Sequence, residues 1–469
     1  MKMKKGYLPK LTGRPGSGIN VQEVVSPLRL PLTLAGKPYS PLVKPAQAVK
    51  CGDPLAELEI SGGTLNIPAP YAGTVEQIDV EKGFLELNVS ERDPQPWSEP
   101  TFPEPAVLED RTARRHLASA GIWPSIWDSA SAGVPALDAA QPTAIVVKAV
   151  VTEPFRARGN VILSNNLELF LRGLSYLEKL TAEYAPSYLI LTHASHPLAQ
   201  RIKKEVAGLA WVRPLFVPLT YPLASDQYLW RCLWRSEQRL QRHDSVWFLD
   251  TQAVIDIARC LGEGLVPSRR IITLGGPGYP QGRHLNVPIG TPLSRLCSEI
   301  DNFDGLRILR GGIFTGTQVD PRDAVVGHLD DGFTLLPEGT DRQFLSFMRA
   351  GFDRPSYTPA YLSRLRAKKA LATSTSLRGE PRACIACGYC EEICPVDIMP
   401  HLIWRFLEKD LLEEAQAAGT QICVECGLCS YVCPSKIELA GTISKGIRQI
   451  QEELVADTTD DSQTQEVKA

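Results

Sequence analysis

Cys384-Ile-Ala-Cys387-Gly-Tyr-Cys390-Glu-Glu-Ile-Cys394-Pro395 is a four-cysteine run, and the same spacing returns from Cys423 to Pro434. Three cysteines this close together point three thiolates at three irons of one cubane, and the fourth, expected to begin a helix that leads away, binds the other cluster. Glycine follows the second cysteine of each run, where the backbone has to turn tightly. The spacing predicts two 4Fe-4S clusters, one held by Cys384, Cys387, Cys390 and Cys433, the other by Cys423, Cys426, Cys429 and Cys394.

The alternative for these cysteines is structural zinc. Zinc takes four ligands as two pairs and would leave the third cysteine of each run idle, so the doubled run favours iron-sulfur clusters. Eight of the 12 cysteines fall within these runs, and nothing marks the chain as secreted, so metal binding is favoured over a disulfide framework. The others are predicted to be small buried apolar side chains: Cys51, Cys232, Cys260 and Cys297.

The cysteine region is predicted to be helical. Between Cys394 and Cys423 lie 28 residues, more than in compact bacterial ferredoxins, and His401 to Ala417 has the pattern of one amphipathic helix closed by Gly419. Residues 380–454 therefore resemble an α-helical ferredoxin domain, as in succinate dehydrogenase-type iron-sulfur subunits. His401 is predicted to lie on the surface, and the acidic, polar residues 455–469 to form a disordered tail.

The 469 residues are too many for one core, and the N-terminal part differs from the rest. Residues 1–100 read as short strands between Gly and Pro turns. The phrase from Ile67 to Val75 resembles the barrel-sandwich hybrid of biotinyl and lipoyl domains, which attach a cofactor to a lysine in a hairpin turn. The matching turn, near Asn66, offers no lysine, so a scaffold is predicted. Residues 91–107 read as a Pro-rich linker.

Strands and helices alternate in the middle of the chain, which predicts a multidomain α/β and α+β protein. Residues 108–268 are predicted to form a Rossmann-like α/β domain with a mostly parallel sheet, including a helix that begins after an acidic cap at Asp250. Residues 269–335 resemble a β-grasp module of the type that binds soluble ligands, and 336–379 form a connecting segment. The glycine cluster Gly275 to Gly278 is interpreted as a turn.

This order of modules resembles two related families over about residues 5 to 450. One is the C subunit of the Rnf ferredoxin:NAD oxidoreductase complex, and the other is the A subunit of the sodium-translocating NADH:quinone oxidoreductase. The cysteine runs are similar to the first. Several phrases look more like the second: Leu117 to Trp123, Val134 to Asp138, Arg270 to Pro277, Gly311 to Thr317 and Leu336 to Arg349. The chain is interpreted as a cluster-bearing relative of the A subunit.

The resemblance also allows the expected flavin-binding loop to be compared with this sequence. A Gly-rich loop of the Rnf C subunit holds FMN and NADH, but the matching stretch here, Gly121 to Trp127, has lost most of its glycines. Trp123 and Trp127 are interpreted as core packing rather than ring stacking on a cofactor. The acidic segment beside the family's flavin survives only as Thr152-Glu153-Pro154. The sequence therefore argues against FMN and NADH binding, and a quinone is a further candidate ligand.

The composition limits the partners. A net charge of −3 gives no reason to expect nucleic acid, and no apolar stretch reaches the length of a membrane span. The resemblance implies a peripheral subunit on the cytoplasmic side of the inner (plasma) membrane. It would relay electrons between an NADH- or ferredoxin-derived donor and membrane flavin-bearing subunits that translocate ions. The alternatives are a soluble flavin/NADH-dependent iron-sulfur oxidoreductase and a non-redox scaffold with a quinone-facing surface.

Overall fold

An N-terminal β region, an α/β layer, a mixed sheet and a helical C-terminal unit follow one another along the chain. The structure, a computed structural model, describes residues 6–97, 101–181, 185–192, 195–300, 303–339, 350–355, 357, 361–366, 370–376 and 381–466. None of the described helices is long and apolar enough to cross a membrane.

Ten short strands occupy the N-terminal region. Two sheets, ordered β2-β10-β9-β6 and β5-β7-β8, face a shared apolar core because alternate residues such as Leu55, Val75 and Leu85 point inward. The strands are β1 (Ile19–Val21), β2 (Leu28–Pro31), β3 (Thr33–Leu34), β4 (Lys37–Pro38), β5 (Ser40–Pro41), β6 (Ala48–Val49), β7 (Pro54–Ile60), β8 (Gly63–Pro68), β9 (Gly73–Asp79) and β10 (Phe84–Val89).

The hairpin turn lies elsewhere than expected. Asn66 sits within β8 and pairs with Glu57, whereas the chain reverses at Ser61 and Gly62. Gly62 adopts φ +83°, a left-handed conformation that suits glycine. The turn carries no lysine.

Residues 6–21 do not belong to the predicted 1–100 domain. Strand β1 pairs in parallel with Arg283–Pro288, and Tyr7 and Leu11 form bridges to Tyr221 and Leu371. The expectation was wrong for this segment because its prolines and glycines interrupt any alternating pattern. Only its short extended piece joins a sheet, and it does so at the edge of a distant one.

The α/β layer has a five-stranded sheet ordered β11-β15-β12-β13-β14, in which β12 to β15 are parallel and β11 is an antiparallel edge. The inner strands β12, β13 and β15 are buried on both faces, as strands covered by helices are, whereas the edge strand β14 is mostly half-buried. The strands are β11 (Trp127–Asp128), β12 (Ala144–Lys148), β13 (Ser187–Leu191), β14 (Val212–Phe216) and β15 (Val246–Asp250). The helices are α1 (Asp110–Ser119), α2 (Gly159–Ser164), α3 (Leu167–Leu177), α4 (Pro197–Glu205), α5 (Asp226–Ser236) and α6 (Thr251–Glu263).

The predicted acidic cap of α6 is confirmed. The Asp250 carboxylate accepts a hydrogen bond from the backbone N–H of Ala253 at 2.7 Å, which satisfies one of the free N–H groups of the first turn.

A six-stranded mixed sheet, ordered β1-β17-β16-β20-β18-β19, follows. At its glycine cluster the backbone of Gly276 passes close to the backbone of Leu335. A Cβ on Gly276 would meet the Leu335 carbonyl oxygen at 2.3 Å. The elements are β16 (Arg269–Gly275), β17 (Arg283–Pro288), α7 (Leu293–Leu296), β18 (Leu306–Arg310), β19 (Thr317–Val319) and β20 (Gly332–Pro337). The connecting segment 336–379 falls partly outside the described residues, including most of the stretch from Leu336 to Arg349.

Five helices form the C-terminal unit: α8 (Tyr389–Ile393), α9 (Pro400–Leu407), α10 (Leu412–Ala417), α11 (Leu428–Val432) and α12 (Leu439–Glu466). The single helix predicted from His401 to Ala417 is wrong, because the chain breaks between α9 and α10. Asp410 adopts φ +54° there, a left-handed conformation that Asp tolerates better than most residues. Gly419, at φ +90°, follows α10 as expected.

The C-terminal stretch also differs from its prediction. Helix α12 continues to Glu466, where a disordered tail was expected from residue 455. Gly446 is the last glycine and no proline follows it, so nothing in the backbone stops the helix. Residues 467–469 lie outside the described residues.

Candidate iron-sulfur centres and adjoining cavities

Four of the predicted ligands meet in one small cavity. Its walls include Cys384, Cys387 and Cys390 from the first run and Cys433 from the second. These four are called the first cysteine set. Burial, with contributions from the neighbouring Cys387 and Cys433, raises the pKa of Cys390 to about 11. The fourth member therefore comes from the other run.

The other four cysteines form the second cysteine set: Cys423, Cys426, Cys429 and Cys394. Burial, with contributions from Cys423 and Cys394, raises the pKa of Cys426 to about 12. Burial also raises the pKa of Cys429 well above its ordinary value, with contributions from the other three members. The spatial grouping of all eight cysteines is thus the same as that of the predicted ligand sets, while ligation itself stays a prediction.

The two loops repeat each other in backbone conformation. Ala386 and Gly388 adopt φ +52° and +74°, and the matching Glu425 and Gly427 adopt φ +48° and +71°. Positive φ is uncommon for Ala and Glu, so both loops are held in an unusual shape that gathers their cysteines.

One detail of the predicted geometry is wrong. Cys394 and Cys433 were expected to begin helices, but each directly follows a short one, at the C-terminal ends of α8 and α11. The next helices begin at Pro400 and Leu439. Helices α8 and α11 pack against each other, and this brings each fourth cysteine to the opposite loop.

Each cysteine set offers four thiols, the kind and number of ligands that a 4Fe-4S cubane takes. Among the described residues, no group of three or more His, Cys, Asp or Glu side chains is placed to hold a metal ion. Cluster ligation by the two sets stays a prediction.

The two sets differ in exposure. Cys387 is exposed, and the neighbouring Ile385 is 66% exposed. Cys394 and Cys426 instead lie in an apolar core that includes Ile393 and Leu428 and continues into the α/β layer. The first set therefore faces the surface and the second faces the interior.

His401, which was predicted to lie on the surface, is half-buried and lies at the first centre. Its Nδ1 lies 3.8 Å from Cys390 Sγ, and the side chain lines the cavity of the first cysteine set. Sequence reasoning missed it because the packing of α9 against α8, which brings His401 back to the loop, has no strong sequence signal.

The loop of the second set is docked on the rest of the chain. The Tyr221 hydroxyl donates a 2.6 Å hydrogen bond to the Cys426 carbonyl, and the Tyr221 ring stacks on Phe314 with centroids 4.7 Å apart. A Cβ on Gly427 would meet the Phe314 carbonyl oxygen at 2.4 Å. The loop thus contacts both the α/β layer and the mixed sheet.

Glu153 holds the Phe314 segment in place. It is buried, and its carboxylate accepts hydrogen bonds from the backbone N–H groups of Phe314 and Thr315, each at 2.8 Å, and from the Thr315 hydroxyl at 2.7 Å. Glu153 therefore has structural partners of its own in this chain.

A cavity of about 260 Å³, called the switch-point cavity, adjoins this contact. It lies where β12 and β15 end, at the point where the strand order reverses, a usual binding place in such sheets. Lys148, Tyr221 and Asp250 are among its lining residues. The charges in its wall are paired, Lys148 with Asp226 and Arg270 with Asp250.

The predicted packing role of Trp123 is confirmed. Its side chain is fully buried, its Nε1 donates to the Pro135 carbonyl at 2.8 Å, and its ring meets Trp247 edge-on at 5.3 Å. Trp127 is half-buried, packs on Phe248 and also lines the switch-point cavity. The stretch from Gly121 to Trp127 therefore lacks the glycine-lined approach to a flavin phosphate, and these residues do not fit FMN.

A larger cavity of about 550 Å³, called the interdomain cavity, lies between the β region, the α/β layer and the mixed sheet. Its walls are mainly apolar, with Leu30, Pro68 and Ile289, but they also include Arg310 and His328. His328 Nε2 and Arg310 Nε are buried without a hydrogen-bond partner among the described residues. Burial lowers the pKa of His328 to about 3, so its imidazole is neutral.

The remaining cysteines mostly match their prediction. Cys51, Cys260 and Cys297 are buried, whereas Cys232 is half-buried on α5.

Two parts of the chain match family models. Residues 30–88 match a model described as biotin-requiring enzyme, and residues 108–207 match one described as the NqrA second alpha/beta domain. The protein is thus a multidomain α/β chain with a biotin/lipoyl-like domain and an NqrA-type α/β domain.

Curated relatives extend this likeness. The A subunit of the Na(+)-translocating NADH-quinone reductase of Pseudomonas aeruginosa (strain UCBPP-PA14) is 27% identical over 428 residues, covering 89% of this chain and 92% of the relative. The A subunits of the same reductase from Saccharophagus degradans and Neisseria meningitidis serogroup B are each 27% identical, with the same coverage. The chain is similar to these proteins over most of its length.

Likeness to solved structures is weak. A chain of an NAD+-reducing [NiFe]-hydrogenase in the H2-reduced state overlaps 75% of this chain and 68% of its own, with 11% identity and a TM-score of 0.39. So low a score carries no argument about fold or function.

Proposed function

We propose that this chain is a peripheral subunit of an ion-translocating NADH:quinone oxidoreductase and that it relays electrons through two 4Fe-4S clusters. The gathering of eight cysteines into two crossed sets of four carries the proposal. The similarity to A subunits of the NADH-quinone reductase over 89% of the chain supports the kind of complex. The cysteine runs set the chain apart as a cluster-bearing form related to the Rnf C subunit.

The protein supplies ligands and a protected environment. When bound, each cluster takes up and releases one electron at a time. The thiols of the first and second cysteine sets are the proposed ligands. Backbone N–H groups point at the sulfurs, as from Glu425 to Cys423 Sγ at 3.4 Å, and such hydrogen bonds tune reduction potential.

The different exposure of the two cysteine sets indicates which of them exchanges electrons with partner proteins. Exchange with another protein requires a redox group near the surface, and the first set, with exposed Cys387, meets that requirement. The second set lies inward, and Tyr221 connects its loop to the switch-point cavity. We infer that partners exchange electrons at the first set.

The interdomain cavity suits a quinone. Ligand cavities of about 300–1,000 Å³ are usually apolar with a few placed polar groups, as here. A neutral His328 and Arg310 each keep a buried nitrogen that could meet a quinone carbonyl.

The proposed partners follow from the complex. They are membrane flavin-bearing subunits and an NADH- or ferredoxin-derived donor, and the chain would sit on the cytoplasmic side of the plasma membrane.

An affinity-tagged chain isolated from membranes of the producing cell tests this function. The tagged chain should co-elute with membrane subunits and with NADH:quinone reductase activity. Cys433→Ser should keep co-elution but lose most of the electron transfer, because one cluster loses a ligand. Cys232→Ser, outside both sets, is the matched control and should keep the activity.

Absence of membrane subunits from the eluate would refute the peripheral role. A Cys433→Ser variant with the full rate of the Cys232→Ser control would refute the relay.

A further inference from the structure

A third cavity, called the arginine cavity, has a volume of about 280 Å³. It shares the segment that follows β12 with the switch-point cavity. Its walls include Arg14 from the N-terminal arm, Arg158 and Asn160 from the start of α2, and Thr192 and His196 beyond β13. The carboxyl ends of parallel strands are the usual place for ligands in such layers. The proposed electron relay uses none of these five side chains.

Among the described residues, no carboxylate pairs with either guanidinium group. Arg14 donates to the Pro9 carbonyl at 2.5 Å. Arg158 donates to the Pro15 carbonyl at 3.2 Å, to His284 Nε2 at 3.3 Å and to the Gly16 carbonyl. None of the ion pairs among the described residues involves Arg14 or Arg158. The Arg14 side chain remains exposed, and partial desolvation together with the neighbouring Arg158 lowers its pKa, as expected of two positive charges that lie close together.

The other charged residues of the wall are already engaged. Glu153 binds the Phe314 segment, and Arg156 pairs with Asp331 at 2.7 Å and with Glu153 at 3.4 Å. Burial lowers the pKa of His284 to about 4, so this partner of Arg158 is neutral. The cavity therefore keeps a net positive charge from Arg14 and Arg158.

His196 lies in the wall of the same cavity as Arg14 and Arg158. It is the N-cap residue of the nine-residue helix α4, where the partial positive charge of the helix favours an anion. The helix terminus thus adds to the positive potential that the two arginines give this space.

We propose that the arginine cavity binds the phosphoryl group of a small phosphomonoester. Guanidinium groups match phosphate oxygens in paired hydrogen bonds, and two of them favour a dianion over a monoanion. Thr192 and Asn160 offer further donors. The space exceeds the needs of an ion, which leaves room for an organic part beside Leu8 and Leu219.

Isothermal titration at low ionic strength tests the proposal on the full chain, with inorganic phosphate, AMP and adenosine as separate probes. Phosphate or AMP should bind at one saturable site, and adenosine should not. Tighter binding of AMP than of phosphate would identify the source as a phosphomonoester rather than the free ion.

Arg14→Gln is the first variant because this side chain is exposed and holds only the Pro9 carbonyl. Losing one charge-assisted contact should weaken binding about ten- to hundredfold. Arg115→Gln, an exposed arginine on α1, removes the same charge elsewhere and should leave the affinity unchanged.

No saturable binding of either phosphate compound would overturn the proposal. Equal loss in both variants, or binding of adenosine as tight as that of AMP, would overturn it too. None of these results would bear on the proposed electron relay, which uses other residues.

Discussion

Tyr221→Phe removes one hydroxyl group and keeps the ring that stacks on Phe314. The lost bond is the 2.6 Å contact to the Cys426 carbonyl, and Tyr221 is 2% exposed, so water does not readily replace the donor. Leaving a buried carbonyl unsatisfied costs about 1–3 kcal/mol. The loop of the second cysteine set should therefore open more easily, by about 5- to 150-fold.

Amide hydrogen exchange of the holoprotein measures that opening. Amides of residues 423–433 should exchange faster in Tyr221→Phe. Tyr176→Phe is the matched control, because the Tyr176 hydroxyl donates to the Phe102 carbonyl at 2.5 Å, and it should affect only that region. Unchanged protection of 423–433 in Tyr221→Phe would refute the docking of this loop on the α/β layer.

Three further outcomes follow from the structure. Cys394→Ser should alter the EPR signal of the cluster on Cys423, Cys426 and Cys429, and loss of the other cluster instead would mean that ligation is local. The purified chain should hold no stoichiometric FMN, because buried Trp123 fills the family's glycine loop; a yellow chromophore that survives gel filtration of cluster-free protein would contradict this. Asp256 has its pKa raised by burial to about 7, so it binds its proton more tightly in the folded state, and its contribution to stability falls as pH rises from about 4 to about 7. Asp256→Asn should flatten this pH dependence of the free energy of unfolding, measured by urea denaturation at several pH values. Arg270 keeps its ion pair with Asp250 at 2.8 Å in this variant. An unchanged slope would show that burial does not perturb the Asp256 carboxyl.

Features set by local chemistry could be predicted from the sequence. The cysteine spacing groups the eight thiols correctly because a short loop limits where three of them can point. The acidic cap at Asp250 and the strands of the α/β layer are likewise encoded by neighbouring residues.

Features set by distant contacts could not be predicted. Strand β1 pairs with β17, which lies far along the chain, and no pattern near Ile19 indicates that partner. His401 reaches Cys390 because α9 packs back against α8, and the residues around His401 do not indicate that packing. The break between α9 and α10 at Asp410 is likewise made without a glycine or proline. Glu153 looked like a remnant because the backbone N–H groups that it binds, those of Phe314 and Thr315, are distant in sequence.

Iron and acid-labile sulfide, measured together on anaerobically purified protein, test the presence of two cubanes most directly. Two 4Fe-4S clusters predict about eight irons and about eight sulfides per chain. Reduced protein should also show magnetic coupling between two nearby clusters in EPR. One or two zinc ions per chain without acid-labile sulfide would contradict the account.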